Sequence, residues 1–267
     1  MTRGIVYLLN GLCVAERLAV SIHSLRDHWS GSITIMVRTD EEWNLAHQIA
    51  CDICCSVEQF KFLDERAMLS KTQIPEYTPY EETLFLDADT IVVGSLDDLF
   101  GYPLTLTKCA EWRSNRRLTA GWIRRWKDHI DREDFLEMID VQLNNPYPAI
   151  NTGVFAFQRD NADLAAWKTL AFLNPGAPMV DQTAMQILTS TIPHRLLDDR
   201  YNNSIIYGLE KTDIRLIHYH GRKHFLTRSN WSEFFLKTME ANIGGIQDWA
   251  GKYDRRVRKW LQRRQEC

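Results

Sequence analysis

Hydrophobic and polar positions follow two rhythms over the first hundred residues. Gly4–Leu9 (GIVYLL) is a short unbroken apolar run, the mark of a strand covered on both faces. Val14, Leu18, Ile22, Leu25 and Trp29 then recur at helical spacing, which predicts an amphipathic helix over Cys13–Trp29, stopped by Ser30-Gly31. Ile33–Val37 reads as the next strand, Glu41–Cys51 as a helix and Ile53–Val57 as a weaker strand. Asp64–Gln73 is predicted helical, ending ahead of Pro75. Thr83–Leu86 is again a buried strand, and Ile91–Val93 follows as another after a short break. Beyond residue 100 the rhythm loosens. Leu104–Ala110, Ile150–Gln158 and Ile214–Tyr219 read as strands, and Asp131–Leu143, Asp160–Leu173 and Asp181–Thr191 as helices. Alternating strands and helices imply right-handed crossovers. The expected fold class is α/β, a mainly parallel mixed sheet flanked by helices with ligands beyond the strands' carboxyl ends.

Composition narrows the function classes. With 267 residues, 45% apolar and 11% aromatic, the chain carries far too much core material for disorder and reads as a single domain. The formal net charge of −3 provides no general field for nucleic acid. Gly4 to Ile22 is interrupted by Asn10, Glu16 and Arg17, which excludes a membrane span there. The Ile5–Leu9 run is too short for a signal peptide and no small-residue cleavage site follows. Six cysteines without a secretory signal then read as reduced thiols in a soluble, cytoplasmic protein. Lys252–Cys267 holds seven basic and two acidic residues beside Val257, Trp260 and Leu261. That tail suits either a packed terminal helix or peripheral contact with an anionic membrane.

The most informative stretch is Thr83-Leu84-Phe85-Leu86-Asp87-Ala88-Asp89-Thr90-Ile91-Val92-Val93. A D-x-D pattern alone is expected by chance in a chain this rich in Asp, and a solvated turn is its plainest reading. Its context adds the information. Carboxylates at i and i+2 of extended chain project to one side, here directly after a buried strand and so at a sheet's carboxyl end. Two like charges there raise each other's pKa unless a cation shares them. Hard oxygen ligands with open positions suit Mn²⁺ or Mg²⁺ shared with a substrate diphosphate.

The stretch TLFLDADTIVV resembles the metal-binding signature of GT-A-fold glycosyltransferases, most closely the retaining family 8 of glycogenin and bacterial lipopolysaccharide galactosyltransferases. Lys71 in S-K-T-Q-I-P-E-Y is similar to the family's basic residue that helps hold the nucleotide sugar. Asn151-Thr152-Gly153 resembles the N-[ST]-G near the donor sugar, and Asp181-Gln182 the D-Q pair beside the reacting carbon. His218-Tyr219-His220-Gly221 resembles the H-x-x-G segment that supplies a third metal ligand and a diphosphate contact. The matches keep the family's order from residue 4 to about 224. The family continues with lysine six residues after the histidine, whereas here Lys223 stands at +5, His224 at +6, and Pro-Trp is missing. His218 and His220 lie on one side of an extended segment, so spacing leaves both as candidate ligands. Placing Gly221 at the family's glycine favours His218.

The resemblance implies a metal-dependent glycosyltransferase using a nucleoside diphosphate sugar, UDP-sugar by the family's habit, and a glycan or other hydroxyl acceptor, with retention. Residues 1–100 would form the nucleotide-binding half, 101–225 the donor-sugar and acceptor half, and 226–267 a helical extension. Asp87, Asp89 and His218 would hold the metal. Lys71, Ala88, Gly221 and Lys223 would line the nucleotide sugar, and Asn151, Asp181 and Gln182 would hold the sugar at the reacting centre. Two rivals use other chemistry: a sugar nucleotidyltransferase, and a transferase-like binding module without catalysis. Against the first, N-G-L-C-V-A-E has no basic residue before Arg17.

Other groups carry weaker signals. Leu9, Asn10 and Gly11 follow the first strand and Asp40 the second, where a nucleotide is expected to lie. Asn10-Gly11 reads equally as a turn and Asp40 as a helix N-cap. Arg113, Arg116, Arg117, Arg124, Arg125 and Lys127 interleave with Trp112, Trp122 and Trp126. They read as an acceptor-facing basic and aromatic cluster or as a solvated helix face with core tryptophans. Cys51, Cys54 and Cys55 have no second pair at zinc spacing and read as buried reduced thiols, while Glu81-Glu82 and Asp198-Asp199 read as surface.

Overall fold

A computed structural model describes residues 1–53, 55–60, 64–109, 112–144, 147–204 and 213–218. Its main sheet has seven strands. They are β1 (Arg3–Leu9), β2 (Ser32–Val37), β3 (Ser56–Gln59), β4 (Glu82–Leu86), β6 (Leu104–Lys108), β7 (Ile150–Gln158) and β8 (Arg195–Leu197), in the order β3-β2-β1-β4-β7-β6-β8. Pairs β3/β2, β2/β1, β1/β4 and β6/β8 are parallel, and β7 runs antiparallel to both β4 and β6. A smaller sheet has the order β5 (Thr90–Val92), β10 (Leu216–His218), β9 (Asn203–Ser204). The helices are α1 (Ala15–Arg26), α2 (Asp40–Ile53), α3 (Ala67–Tyr77), α4 (Trp112–Lys127), α5 (Glu133–Asn144), α6 (Asp163–Leu173) and α7 (Val180–Leu188).

Strand alternation builds a core on each face of the main sheet. Ile5, Tyr7 and Leu9 pack with α1 and α2 on one side, while Val6, Leu8 and Phe85 pack with α3 to α7 on the other. A strand apolar at every position can sit only between two such layers. Among the described residues, no helix is long and apolar enough to cross a membrane.

Several expected boundaries move, each for a local reason. The third helix runs to Tyr77, with Pro75 inside it, rather than stopping at Gln73. In the last turn a proline forfeits only its own bond to the Lys71 carbonyl, and Thr78 N–H still closes on Ile74 O at 3.0 Å. The second helix is capped by Thr39, not Asp40: Thr39 Oγ1 accepts from Glu42 N–H while Glu42 accepts from the Thr39 and Arg38 N–H groups. Ile91–Val93 leaves the main sheet for the small one. Strands β8 and β9 are too short to register in the hydrophobic pattern. Cys51 is exposed, not buried, because Leu45, Ala46, Ile49 and Ala50 form the inward stripe of α2. Glu82 is buried rather than on the surface, paired with Arg3 and accepting from Gly101 N–H.

Candidate active site

Asp87 leaves the carboxyl end of β4, in the sheet's centre. Its N–H donates to Gly153 O at 2.7 Å, and its carbonyl accepts from Thr90 Oγ1 at 2.8 Å. Thr90 is held in turn by Ser21 Oγ at 2.8 Å and Ser21 by Tyr7 at 2.9 Å, a buried hydroxyl chain running from the core to the Asp87-Ala88-Asp89 turn. The antiparallel pairing of β5 with β10 sets Thr90 opposite His218. His218 Nε2 thereby reaches 3.2 Å from Asp89 Oδ1 and 3.6 Å from Asp87 Oδ2.

One ligand atom from each of Asp87, Asp89 and His218 lies within 4.8 Å of the others. Octahedral coordination at metal–oxygen distances near 2.1 Å puts neighbouring ligand atoms about 3 Å apart. Two carboxylate oxygens and an imidazole nitrogen grouped in this way could hold a divalent metal ion. Gly153 makes room for the arrangement. A Cβ there would stand 2.2 Å from His218 Cε1, 2.7 Å from Asp87 Oδ2 and 2.8 Å from Asn151 Oδ1.

Lys71, buried on α3, bridges Asp87 Oδ1 at 2.9 Å and Asp181 Oδ2 at 3.1 Å. Burial alone would push its pKa down, but the two carboxylates raise it well above the ordinary lysine value, which favours the ammonium form. Thr152 Oγ1 also donates to Asp181 Oδ2 at 2.8 Å. Asp181 Oδ1 is buried and has no hydrogen-bond partner among the described residues.

A band of amides closes this side. Asn151 Nδ2 donates to Gln182 Oε1 at 3.1 Å, and Asn151 Oδ1 accepts from Gly153 N–H and from Asn202 Nδ2. Asn202 also bonds Thr107 Oγ1 at 2.8 Å and His218 Nδ1 at 2.8 Å. A register shift in the β6/β7 pair, where Leu106 faces Phe155 but Thr107 faces Asn151, bulges Thr152-Gly153-Val154 out of the β6/β7 ladder at this point. The residues missed from sequence are Asn202, Thr107 and the Thr152 hydroxyl. Asn202 sits in an aperiodic Tyr-Asn-Asn stretch that offers no spacing signal, whereas N-[ST]-G already contained Thr152.

Structure thus brings together Lys71, Asp87, Asp89, Asn151, Asp181, Gln182 and His218. The first-loop candidates stand beside this group. Leu9 is buried in β1, and Asn10 Nδ2 donates to Ser70 Oγ and Asp64 O, both at 3.1 Å. Gly11, at φ 94°, donates to Glu42 Oε1 at 2.7 Å, and only glycine adopts that backbone freely. Asp40 is exposed and accepts from Gln59 Nε2 at 2.8 Å. His220, Gly221, Lys223, Cys54 and the basic tail lie outside the described residues. The basic-aromatic cluster falls on α4, where Trp126 is buried and Arg124, Arg125 and Lys127 are exposed, the pattern of a solvated face over a core tryptophan.

No protein-family model and no curated protein matches the chain. Solved structures do. The glycosyltransferase GlyE of Streptococcus pneumoniae TIGR4 aligns at TM-score 0.60 and 16% identity, covering 98% of this chain and 64% of GlyE. The galactosyltransferase LgtC, solved in complex with donor and acceptor sugar analogs, aligns at TM-score 0.56 and 12% identity, covering 82% of this chain and 87% of LgtC. The chain has the GT-A fold. Within the GT-A frame, the Asp87-Ala88-Asp89 turn stands at the carboxyl edge of the central strand β4. The chain spans under two thirds of the length of GlyE.

Proposed function

We propose that this protein is a retaining, metal-dependent glycosyltransferase that moves a sugar from a nucleoside diphosphate sugar, UDP-sugar foremost, to a hydroxyl of a glycan or glycoconjugate. The observation that carries this reading is the convergence of Asp87, Asp89 and His218 beside the Lys71–Asp181 pair at the sheet's carboxyl edge. Family 8 membership, suggested by the sequence motifs, supplies the expectation of retention.

Asp87, Asp89 and His218 would hold Mn²⁺ or Mg²⁺, which when bound supplies Lewis acidity to the leaving diphosphate. Lys71 would add a fixed positive charge beside the same oxygens. Asp181 Oδ1, a buried acceptor with no donor among the described residues, would take a hydrogen bond from a donor-sugar hydroxyl. Asn151 fixes the Gln182 amide with its oxygen committed, leaving the Gln182 NH₂ as a donor. Together these groups orient the sugar so that the acceptor hydroxyl meets the anomeric carbon in one geometry. Leu9, Asn10, Gly11 and Asp40 line the approach of the nucleoside.

Thermal shift with UDP and Mn²⁺ tests the assignment. At a hundredfold excess over Kd, binding raises stability by about 2.7 kcal/mol, and EDTA should abolish the gain. Asp89→Ala should lose both this shift and turnover while keeping its circular dichroism spectrum. Full turnover in that variant or in EDTA rejects the metal role. Proton NMR of the first product should show the donor's anomeric configuration kept, and an inverted anomer rejects retention.

A further inference from the structure

Donor and acceptor roles around the site can be propagated from a single backbone group. The Gly153 N–H can only donate, so the Asn151 amide atom 2.8 Å away is the oxygen. The Asn202 atom 3.1 Å from that oxygen must then be its NH₂, which also faces Thr107 Oγ1 at 2.8 Å. Thr107 spends its own proton on the Val154 carbonyl at 2.9 Å and presents lone pairs to Asn202, which agrees. The remaining Asn202 atom is therefore an acceptor, and it stands 2.8 Å from His218 Nδ1. Thr107, Asn151, Asn202 and His218 are all buried, so the two amides and the hydroxyl have little freedom to exchange roles through solvent.

We infer that Asn202 is a positioning residue: it holds His218 with the proton on Nδ1 and so commits Nε2 to the side of Asp87 and Asp89. An imidazole binds a metal through the nitrogen that lacks a proton, and the partner of the other nitrogen decides which that is. The imidazole orientation rests on the hydrogen-bond network alone. Its consequence for metal binding rests on the function proposed above.

Long-range nitrogen–proton NMR on histidine-labelled, metal-free protein at pH 8 tests the inference, with His218→Gln assigning the signals. Wild type should show Nδ1 of His218 protonated. In Asn202→Leu the acceptor is gone and the proton should move to Nε2, where Asp89 accepts it. Asn202→Asp keeps an acceptor and should keep the wild-type Nδ1 signal, which guards against a leucine variant that fails to fold. A bare Nδ1 in wild type, or a protonated Nδ1 unchanged in folded Asn202→Leu, overturns the inference. Mn²⁺ titration followed by electron paramagnetic resonance supplies the second arm. Asn202→Leu should bind Mn²⁺ about 10- to 100-fold more weakly than wild type, with Asn202→Asp between the two. If wild type binds no Mn²⁺ while the nitrogen signals behave as stated, the metal reading falls and the role of Asn202 stands.

Discussion

A single hydrogen at position 153 determines how closely the site can assemble. A methyl group in its place would stand less than 3.0 Å from atoms of His218, Asp87 and Asn151, and each of those neighbours is tied to something else. Gly153→Ala therefore cannot be absorbed by one flexible chain end. It should lower stability by about 1–3 kcal/mol in urea titration and abolish the Mn²⁺-dependent thermal shift. An intact shift in Gly153→Ala would mean that the ligands do not need their present spacing. The glycine was visible in sequence as part of Asn-Thr-Gly, but its neighbours were not. Its opposite number His218 is 65 residues further along the chain.

At the scale of elements, the loop after β1 and the loop after β2 are joined by one carboxylate. Glu42 accepts from the Arg38 and Thr39 N–H groups at 2.8 and 3.1 Å, and from Gly11 N–H at 2.7 Å. It completes a capping box and binds two strand ends together. Glu42→Ala leaves three backbone donors to find other acceptors and should cost about 2 kcal/mol, measured by urea denaturation. Glu42→Gln, retaining one carbonyl oxygen, should fall between. Equal stability of Glu42→Ala and wild type would show that water replaces the carboxylate without loss. The T-x-x-E signal was present in the sequence, yet Asp40 is an equally good cap by residue type, and only the backbone turn selects Thr39.

For the whole molecule, three displaced ionisations of buried groups among the described residues lie on the alkaline side. Burial raises the Tyr7 phenol, and burial with the Asp98 hydrogen bond pushes Tyr201 up to about 12. Lys71 is raised by Asp87 and Asp181 against the opposing effect of its own burial. Each of these groups keeps its proton longer in the folded state than in the unfolded chain. Their contribution is complete below the unfolded values near pH 10 and is lost as pH rises through the folded ones. The urea midpoint should therefore stay level from about pH 7 to 9 with respect to these groups and fall above about pH 10. Tyr7→Phe should flatten part of that fall. A midpoint unchanged up to about pH 11.5 would contradict burial of these protonated groups.

Sequence by itself determined the order of strands and helices in the first half and the two-sided burial of β1 and β4, because these follow from local apolar spacing. It also placed the acidic pair at a strand's carboxyl end. Tertiary structure alone decided that Lys71, Asp87, Asn151, Asp181 and His218 meet, since strand order and the β5/β10 pairing join residues up to 147 positions apart. It alone decided which atom of each amide faces its neighbour, because a side chain's donor or acceptor role is set by the group opposite it and leaves no trace in spacing.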